Sequence, residues 1–175
     1  MKRRLVALLA LAVPALAQTT IKDALVKHWK ATGDLTIAVA DAMPADGYTF
    51  RPNPEEMSFG QLMAHIGGPA RNACANASGM TPPAMPEKIQ AYAKDTKLEV
   101  DKDSAITFLK QTFDFCNQAV ASVTLPQLDK VAGNPARNLT GYEWLWSYFT
   151  HTAHHRGQAE VYLRVKGITP PTYVF

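Results

Sequence analysis

Cysteine, charge and strand-like patterns are all scarce in this chain. It contains two cysteines among 175 residues, too few for a disulfide-dense miniprotein. Charged residues make up 19% of the chain against 47% hydrophobic residues, which excludes an intrinsically disordered protein. No stretch of useful length alternates apolar and polar residues, as a half-buried strand would. These absences favour one all-α domain with a substantial core.

The beginning of the chain differs in composition from the rest. Basic residues 2–4 precede a short apolar stretch, and residues 15–17 fit the small-x-small rule of signal peptidase. The apolar stretch is short for a membrane span. We therefore predict a signal peptide over residues 1–17, cleavage after Ala17 and a mature domain over residues 18–175. The protein would be periplasmic or secreted, in a compartment that permits disulfides.

Removal of this leader would make the chain neutral. The whole sequence has 18 Lys and Arg against 15 Asp and Glu, and the leader carries three of the basic residues. A balance of 15 to 15 offers no support for nucleic-acid binding or for adsorption to an anionic membrane. We expect a small-molecule substrate or ligand, no nucleic-acid partner and no stable membrane insertion after cleavage.

Apolar residues recur at alternating steps of three and four in four stretches, which predicts four helices. Gly67, Gly68 and Pro69 lie within the second stretch and predict a kink or a break. The connection over residues 78–100 is long enough to cross a bundle, so parallel neighbours are compatible with it. A loop containing Gly133 is expected before the last helix. The four helices are predicted near residues 21–43, 58–77, 103–122 and 140–166.

The fourth predicted helix carries histidines and aromatic residues on one face. Trp144, Tyr148, His151 and His155 follow one another at steps of four, three and four. Residues four apart on a helix have Cβ atoms about 5–6 Å apart, so both imidazoles are able to bind one metal ion. His65 on the second helix is the natural third ligand, and three imidazoles leave positions open for water or substrate. The alternative is a pair of hydrogen-bonded histidines without metal.

Other polar residues are candidates for the surroundings of this site. His154 is predicted at the rim or behind the ligands. His28 lies on the inward face of the first helix, as a pocket residue or a hydrogen-bonded core histidine. Arg156 would bind a substrate anion or form an interhelical ion pair. Tyr148 and Trp144, together with His28, are expected to line one small, partly aromatic cavity.

The remaining side of the fourth helix predicts packing rather than chemistry. Ala153 and Gly157 share a face and predict close approach of another helix. Glu143 and Glu160 fall outside the ligand face, so no general base is evident.

The two cysteines lie on different predicted helices. An even count in an exported protein predicts one disulfide, and the second and third helices would present Cys74 and Cys116 to each other. Two buried thiols are the alternative.

Two stretches resemble a known family. Residues 151–158 match the H-x3-H-R-G-Q pattern of the DinB/YfiT-like superfamily of metal-binding four-helix bundles, and residues 58–66 are similar to its second-helix motif. The ending over residues 162–171 is also similar. The resemblance spans essentially the whole mature chain and implies an up-down-down-up four-helix bundle. It assigns the family's three metal ligands to His65, His151 and His155.

The resemblance also implies a metal-dependent hydrolase or a thiol S-transferase. Export disfavours the transferase, because low-molecular-weight thiols are mainly cytoplasmic. A divalent ion lowers the pKa of a bound water and stabilises developing oxyanion charge, which suits hydrolysis. A non-catalytic metal- or ligand-binding stress module is the alternative. Three-histidine sites accept Zn²⁺, Ni²⁺ and Fe²⁺, so the sequence does not identify the metal. It also does not distinguish a monomer from a homodimer.

Overall fold

The computed structural model describes residues 20–173. The predicted signal peptide over residues 1–17 lies outside the described residues and stays a prediction. No helix within the described range has the length and apolar character of a membrane span. The elements are α1 (Ile21–Ala42), a 3₁₀ turn (Ala45–Thr49), α2 (Phe59–Ser78), α3 (Glu87–Lys94), α4 (Lys102–Ser122), α5 (Leu125–Asp129), β1 (Val131–Asn134), β2 (Arg137–Thr140) and α6 (Gly141–Val165).

Four long helices form a bundle in which α4 and α6 each pack against both α1 and α2. The backbone of α2 at Gly60 touches the Val100 carbonyl just before α4, so α2 and α4 start at the same end and run parallel. Lys102, at the start of α4, donates to the Asp41 carbonyl at the end of α1 (2.7 Å), so these two helices are antiparallel. The Tyr162 hydroxyl near the end of α6 donates to the Met57 carbonyl just before α2 (2.9 Å), so α6 is antiparallel to α2. The order is therefore up-down-down-up, which confirms the predicted all-α four-helix bundle.

Local hydrogen bonds explain where the long helices begin. In α1, α2 and α6, the residue before the helix and the third helical residue cap each other reciprocally, which satisfies backbone N–H groups that lack helical partners. Asp101 caps α4 by accepting from the Ser104 backbone N–H (3.0 Å). The three reciprocal pairs are Thr20 with Asp23, Ser58 with Gln61 and Thr140 with Glu143.

The second helix continues through Pro69 as one element, which excludes the break, one of the two predicted alternatives. Proline has no N–H, and the His65 carbonyl therefore lacks its usual helical donor. Gly67 faces α4 closely, because a Cβ there would lie 2.6 Å from the Phe108 ring. The surrounding packing holds this segment helical despite its weak intrinsic preference.

The connection between α4 and α6 contains more structure than the predicted loop. The short helix α5 is followed by an antiparallel hairpin of β1 and β2, with Asn134 opposite Arg137. Gly133 adopts φ 121°, where a Cβ would collide with the Arg137 backbone. The Trp144 indole N–H donates to the Ala132 carbonyl (2.9 Å). A strand of four residues is too short to be recognised from alternating apolar and polar residues. The hydrogen bond from Trp144 holds the hairpin against α6.

A disulfide joins α2 to α4 inside the core. Cys74 and Cys116 are fully buried, and their Cα atoms lie 5.3 Å apart. Both cysteines of the chain are therefore paired, which confirms the predicted bridge.

Two details of the predicted helix faces are wrong. Ile21 fits the helical spacing of the apolar residues predicted to face inward from the first helix, but it is 62% exposed, so the buried face of α1 begins at Leu25. Gly157 is exposed, and no atom of the described chain lies within 4 Å of its Cβ position, so it mediates no helix packing. Since α6 packs against α1 and α2, the face that carries Gly157 is turned to solvent.

Candidate metal centre

Three imidazoles converge between α2 and α6. His65 on α2 faces His151 and His155 on α6, and one ring nitrogen from each lies within 4.8 Å of the others. The ring centroid of His65 is 5.1 Å from that of His151 and 4.5 Å from that of His155. All three side chains are half-buried. The structure thus brings together the three residues that helical spacing selects, across about 90 residues of chain.

The spacing of two nitrogens fits a shared metal ion. The Nε2 atoms of His65 and His155 lie 3.2 Å apart. Two nitrogen ligands at about 2.0–2.1 Å from a tetrahedral Zn²⁺ are separated by about 3.4 Å. The observed separation is therefore close to that of two ligands on one ion.

A neighbouring glutamine orients one of these rings. The Gln158 side-chain carbonyl lies 2.6 Å from Nδ1 of His155. Because a carbonyl oxygen only accepts hydrogen bonds, this contact requires a proton on Nδ1 and leaves the lone pair of Nε2 facing His65. Sequence reasoning assigned Gln158 no role at this site. Its position three residues after His155, on the adjacent turn of the helix, was the available signal.

The surroundings favour neutral imidazoles, which is the form that binds metals. Burial, followed by the neighbouring charges of His155 and His65, lowers the pKa of His151 to about 4. Burial and the charge of His155 also lower the pKa of His65. The Nδ1 atom of His151 is buried without a hydrogen-bond partner among residues 20–173. Three converging imidazoles, one with an unsatisfied nitrogen, fit a divalent transition metal.

No carboxylate joins this cluster in the part of the chain that the structure describes. Glu143 accepts from the Thr140 backbone N–H at the start of α6 (2.8 Å). Glu160 lies 3.7 Å from Arg164 and 3.9 Å from Arg156. Both glutamates of α6 thus have structural partners away from the histidines.

The other two predicted polar residues of α6 do not join the histidine group. His154 is exposed, although its ring centroid is 4.8 Å from that of His155. Arg156 is 4% exposed and donates to the Thr32 hydroxyl on α1 (2.7 Å). Its carboxylate contact is with Glu160 on its own helix, so the predicted interhelical ion pair is wrong. Arg156 therefore packs between helices instead of facing the histidine cluster.

The expected single aromatic cavity is divided into two. His28 lines an apolar groove of about 410 Å³ with Trp29 and Phe149. Trp144 and Tyr148 line a separate cavity of about 550 Å³ against α2 and the hairpin. Successive residues of α6 point about 100° apart, so Tyr148 and Phe149 face different neighbours.

Solved structures with the same fold come from two Bacillus species. A DinB-like protein, YjoA, from Bacillus subtilis is 22% identical with a TM-score of 0.67, covering 86% of this chain and 96% of its own. A DinB-like protein from Bacillus cereus is 19% identical with a TM-score of 0.71, covering 90% and 99%. Bacillus subtilis YfiT is 16% identical with a TM-score of 0.64, covering 87% and 93%.

At these identities the structural likeness establishes the fold alone. YfiT is described as a probable metal-dependent hydrolase with an unusual four-helix bundle topology. No curated protein gave a significant match to the chain. The family model of the DinB superfamily matches residues 28–159, which include all three histidines of the cluster. The chain therefore belongs to the DinB superfamily.

Proposed function

We propose that this protein binds one divalent transition metal through His65, His151 and His155 and is a metal-dependent hydrolase of a small molecule. The observation that carries the proposal is the convergence of three imidazole nitrogens within 4.8 Å. The description of YfiT as a probable metal-dependent hydrolase supports the reaction class. Zn²⁺, Ni²⁺ and Fe²⁺ all fit a site of three imidazoles.

A divalent ion held by these histidines would lower the pKa of a bound water and stabilise negative charge on a substrate oxygen. Gln158 holds the His155 ring with Nε2 toward the site. Tyr148 lies beside the cluster, with its ring centroid 5.6 Å from that of His151. Its hydroxyl oxygen accepts from Arg137, and a phenol is also able to donate, here to a substrate oxygen.

Elemental analysis of the full chain, purified without chelator, tests the metal assignment. We expect about one transition metal per chain and loss of most of it in His65→Ala, His151→Ala and His155→Ala. His154→Ala is the matched control, because this exposed neighbour lies outside the cluster, and it should retain the metal. Equal loss of metal in all four variants would overturn the assignment. So would a wild-type protein that is purified without metal and does not bind added Zn²⁺ or Ni²⁺.

Hydrolysis of 4-nitrophenyl acetate by the metal-loaded protein tests the reaction class. We expect turnover that a chelator removes and that the same metal restores. The His155→Ala variant should be inactive, whereas His154→Ala should keep the wild-type rate.

A non-catalytic metal- or ligand-binding module is the second candidate. It is favoured by the lack of a carboxylate beside the histidines among the described residues, since such a group is a common general base. A protein that holds one metal per chain but cleaves no member of an ester and amide panel would favour this candidate over the hydrolase.

We also propose that the protein acts outside the cytoplasm. The basic and apolar leader over residues 1–17 supports export. The Cys74–Cys116 disulfide is compatible with an oxidising compartment.

A further inference from the structure

A polar cavity of about 550 Å³ lies between α2, the hairpin and α6. Its size falls within the range of small-molecule sites. Asn72, Asn76 and Asn134 contribute amide groups to its wall. Arg137 is the one charged residue among those that line it, within the described part of the chain. The cavity therefore combines one positive charge with neutral hydrogen-bonding groups.

This cavity adjoins the histidine cluster. On α2, Pro69 and Asn72 follow His65 at steps of four and three, which places them on the same face. On α6, Tyr148 precedes His151 by three residues, and their ring centroids are 5.6 Å apart. Because α2 and α6 are antiparallel, both helices lead from the histidines into the cavity. A molecule of moderate length would therefore reach both places.

Contacts with α6 hold Arg137 at this cavity. Trp144 anchors the hairpin through the Ala132 carbonyl (2.9 Å) and stacks on Tyr148 at 5.5 Å between centroids. Arg137 donates to the Tyr148 hydroxyl, and its guanidinium carbon lies 5.9 Å from the centre of that ring. Among residues 20–173 it has no ion-pair partner. Most of its five N–H donors thus remain available to a ligand.

We propose that this cavity binds the carboxylate of a substrate whose scissile ester or amide bond lies at the histidine cluster. The position of the scissile bond rests on the proposed hydrolase function, whereas the carboxylate site does not. Guanidinium and carboxylate groups match in shape and bind through two parallel hydrogen bonds. One guanidinium balances the single charge of a carboxylate better than the charge of about −1.5 to −2 on a phosphate monoester.

Binding of two isosteric probes tests the carboxylate site directly. Glutaramate carries one carboxylate and one amide, whereas glutaramide is uncharged and has the same number of heavy atoms. By calorimetry with Zn²⁺-loaded protein, we expect glutaramate to bind at least about tenfold more tightly than glutaramide. Arg137→Gln should abolish this preference. Arg164→Gln is the matched control, because Arg164 lies on the exposed surface of α6 and outside the cavity.

Two outcomes of the binding experiment would overturn the carboxylate assignment. Equal binding of glutaramate by wild type and Arg137→Gln, with both proteins folded by circular dichroism, would exclude Arg137 as its ligand. Tighter binding of propyl phosphate than of glutaramate would show that the cavity is a phosphate site instead of a carboxylate site.

Ester kinetics separate this proposal from the hydrolase proposal. For mono-4-nitrophenyl glutarate, Arg137→Gln should raise KM about tenfold or more with kcat little changed. For uncharged 4-nitrophenyl butyrate, the same variant should raise KM much less, because this ester has no carboxylate for Arg137 to bind. If glutaramate binding depends on Arg137 but neither ester is cleaved, the hydrolase function is refuted and the carboxylate site is retained. Cleavage of both esters with no effect of Arg137→Gln would refute the carboxylate site and keep the hydrolase.

Discussion

One hydrogen bond decides which ring nitrogen of His155 faces the histidine cluster. The contact between Gln158 and Nδ1 of His155 leaves Nε2 toward His65, 3.2 Å away. Burial lowers the pKa values of His65 and His151 and so favours their neutral forms. A residue outside the proposed ligand set would thus contribute to metal affinity through its effect on His155.

Substitution of this glutamine tests that contribution. Gln158→Leu removes the acceptor for Nδ1, and we expect zinc affinity to fall about 10- to 100-fold, as is typical for lost partners of metal-binding histidines. Gln158→Glu keeps an acceptor and should retain most of the affinity. Competition titration with a zinc-binding dye measures both. Equal affinity of Gln158→Leu and the wild type would show that this hydrogen bond does not orient the ring.

At the scale of elements, the bundle depends on capped helix ends. Asp101 accepts from the Ser104 backbone and pairs with Lys88. Partial burial by itself raises the pKa of Asp101, but hydrogen bonds from Lys88 and Ser104 outweigh it and bring the pKa to about 2. Because this pKa is lowered on folding, the ionised cap stabilises α4 above the ordinary carboxyl pKa and loses this effect as pH falls toward 2.

Removal of the cap should show that pH dependence. Asp101→Ala is expected to lower the free energy of unfolding by about 1 kcal/mol at pH 7. The difference from wild type should shrink between pH 4 and pH 2, as the wild-type carboxylate becomes protonated. Asp101→Asn keeps the cap without the charge and provides the control. Urea denaturation at several pH values measures the effect, and a difference that stays constant from pH 7 to pH 2 would contradict it.

The disulfide and the histidine cluster join different pairs of helices. Cys74 and Cys116 connect α2 to α4 at a sequence separation of 42, whereas the histidines lie on α2 and α6. We therefore expect the double variant Cys74→Ala, Cys116→Ala to lose about 2–4 kcal/mol of stability and to keep its metal. Denaturation and elemental analysis measure the two properties. Loss of the metal from a folded double variant would show that the bridge also shapes the site.

At the scale of the whole molecule, we predict that residues 1–17 direct the protein out of the cytoplasm. If residues 1–17 direct export, the protein isolated from the periplasm or medium should begin at Gln18. N-terminal sequencing and intact mass check this expectation. Ala17→Trp places a large side chain at the cleavage position and should leave the precursor uncleaved. An intact Met1 on exported wild-type protein would contradict the prediction.

Much of the fold was predictable because its signals are local. Helical periodicity and caps involve residues within four positions of one another, and they located the four long helices to within a few residues. The same locality placed His151 and His155 together one turn apart. The hairpin was missed because its short strands depend on Trp144 and on the backbone at Gly133.

The sequence by itself determined the four long helices, the shared face of His151 and His155 and the resemblance to the DinB superfamily. Only the tertiary structure decided that Arg156 packs against Thr32, that His28 and Tyr148 line different cavities, and that Arg137 contacts Tyr148. The physical reason is distance along the chain. Local hydrogen bonds and periodic burial act over a few residues, whereas these contacts depend on how α6 is rotated against helices far away in sequence.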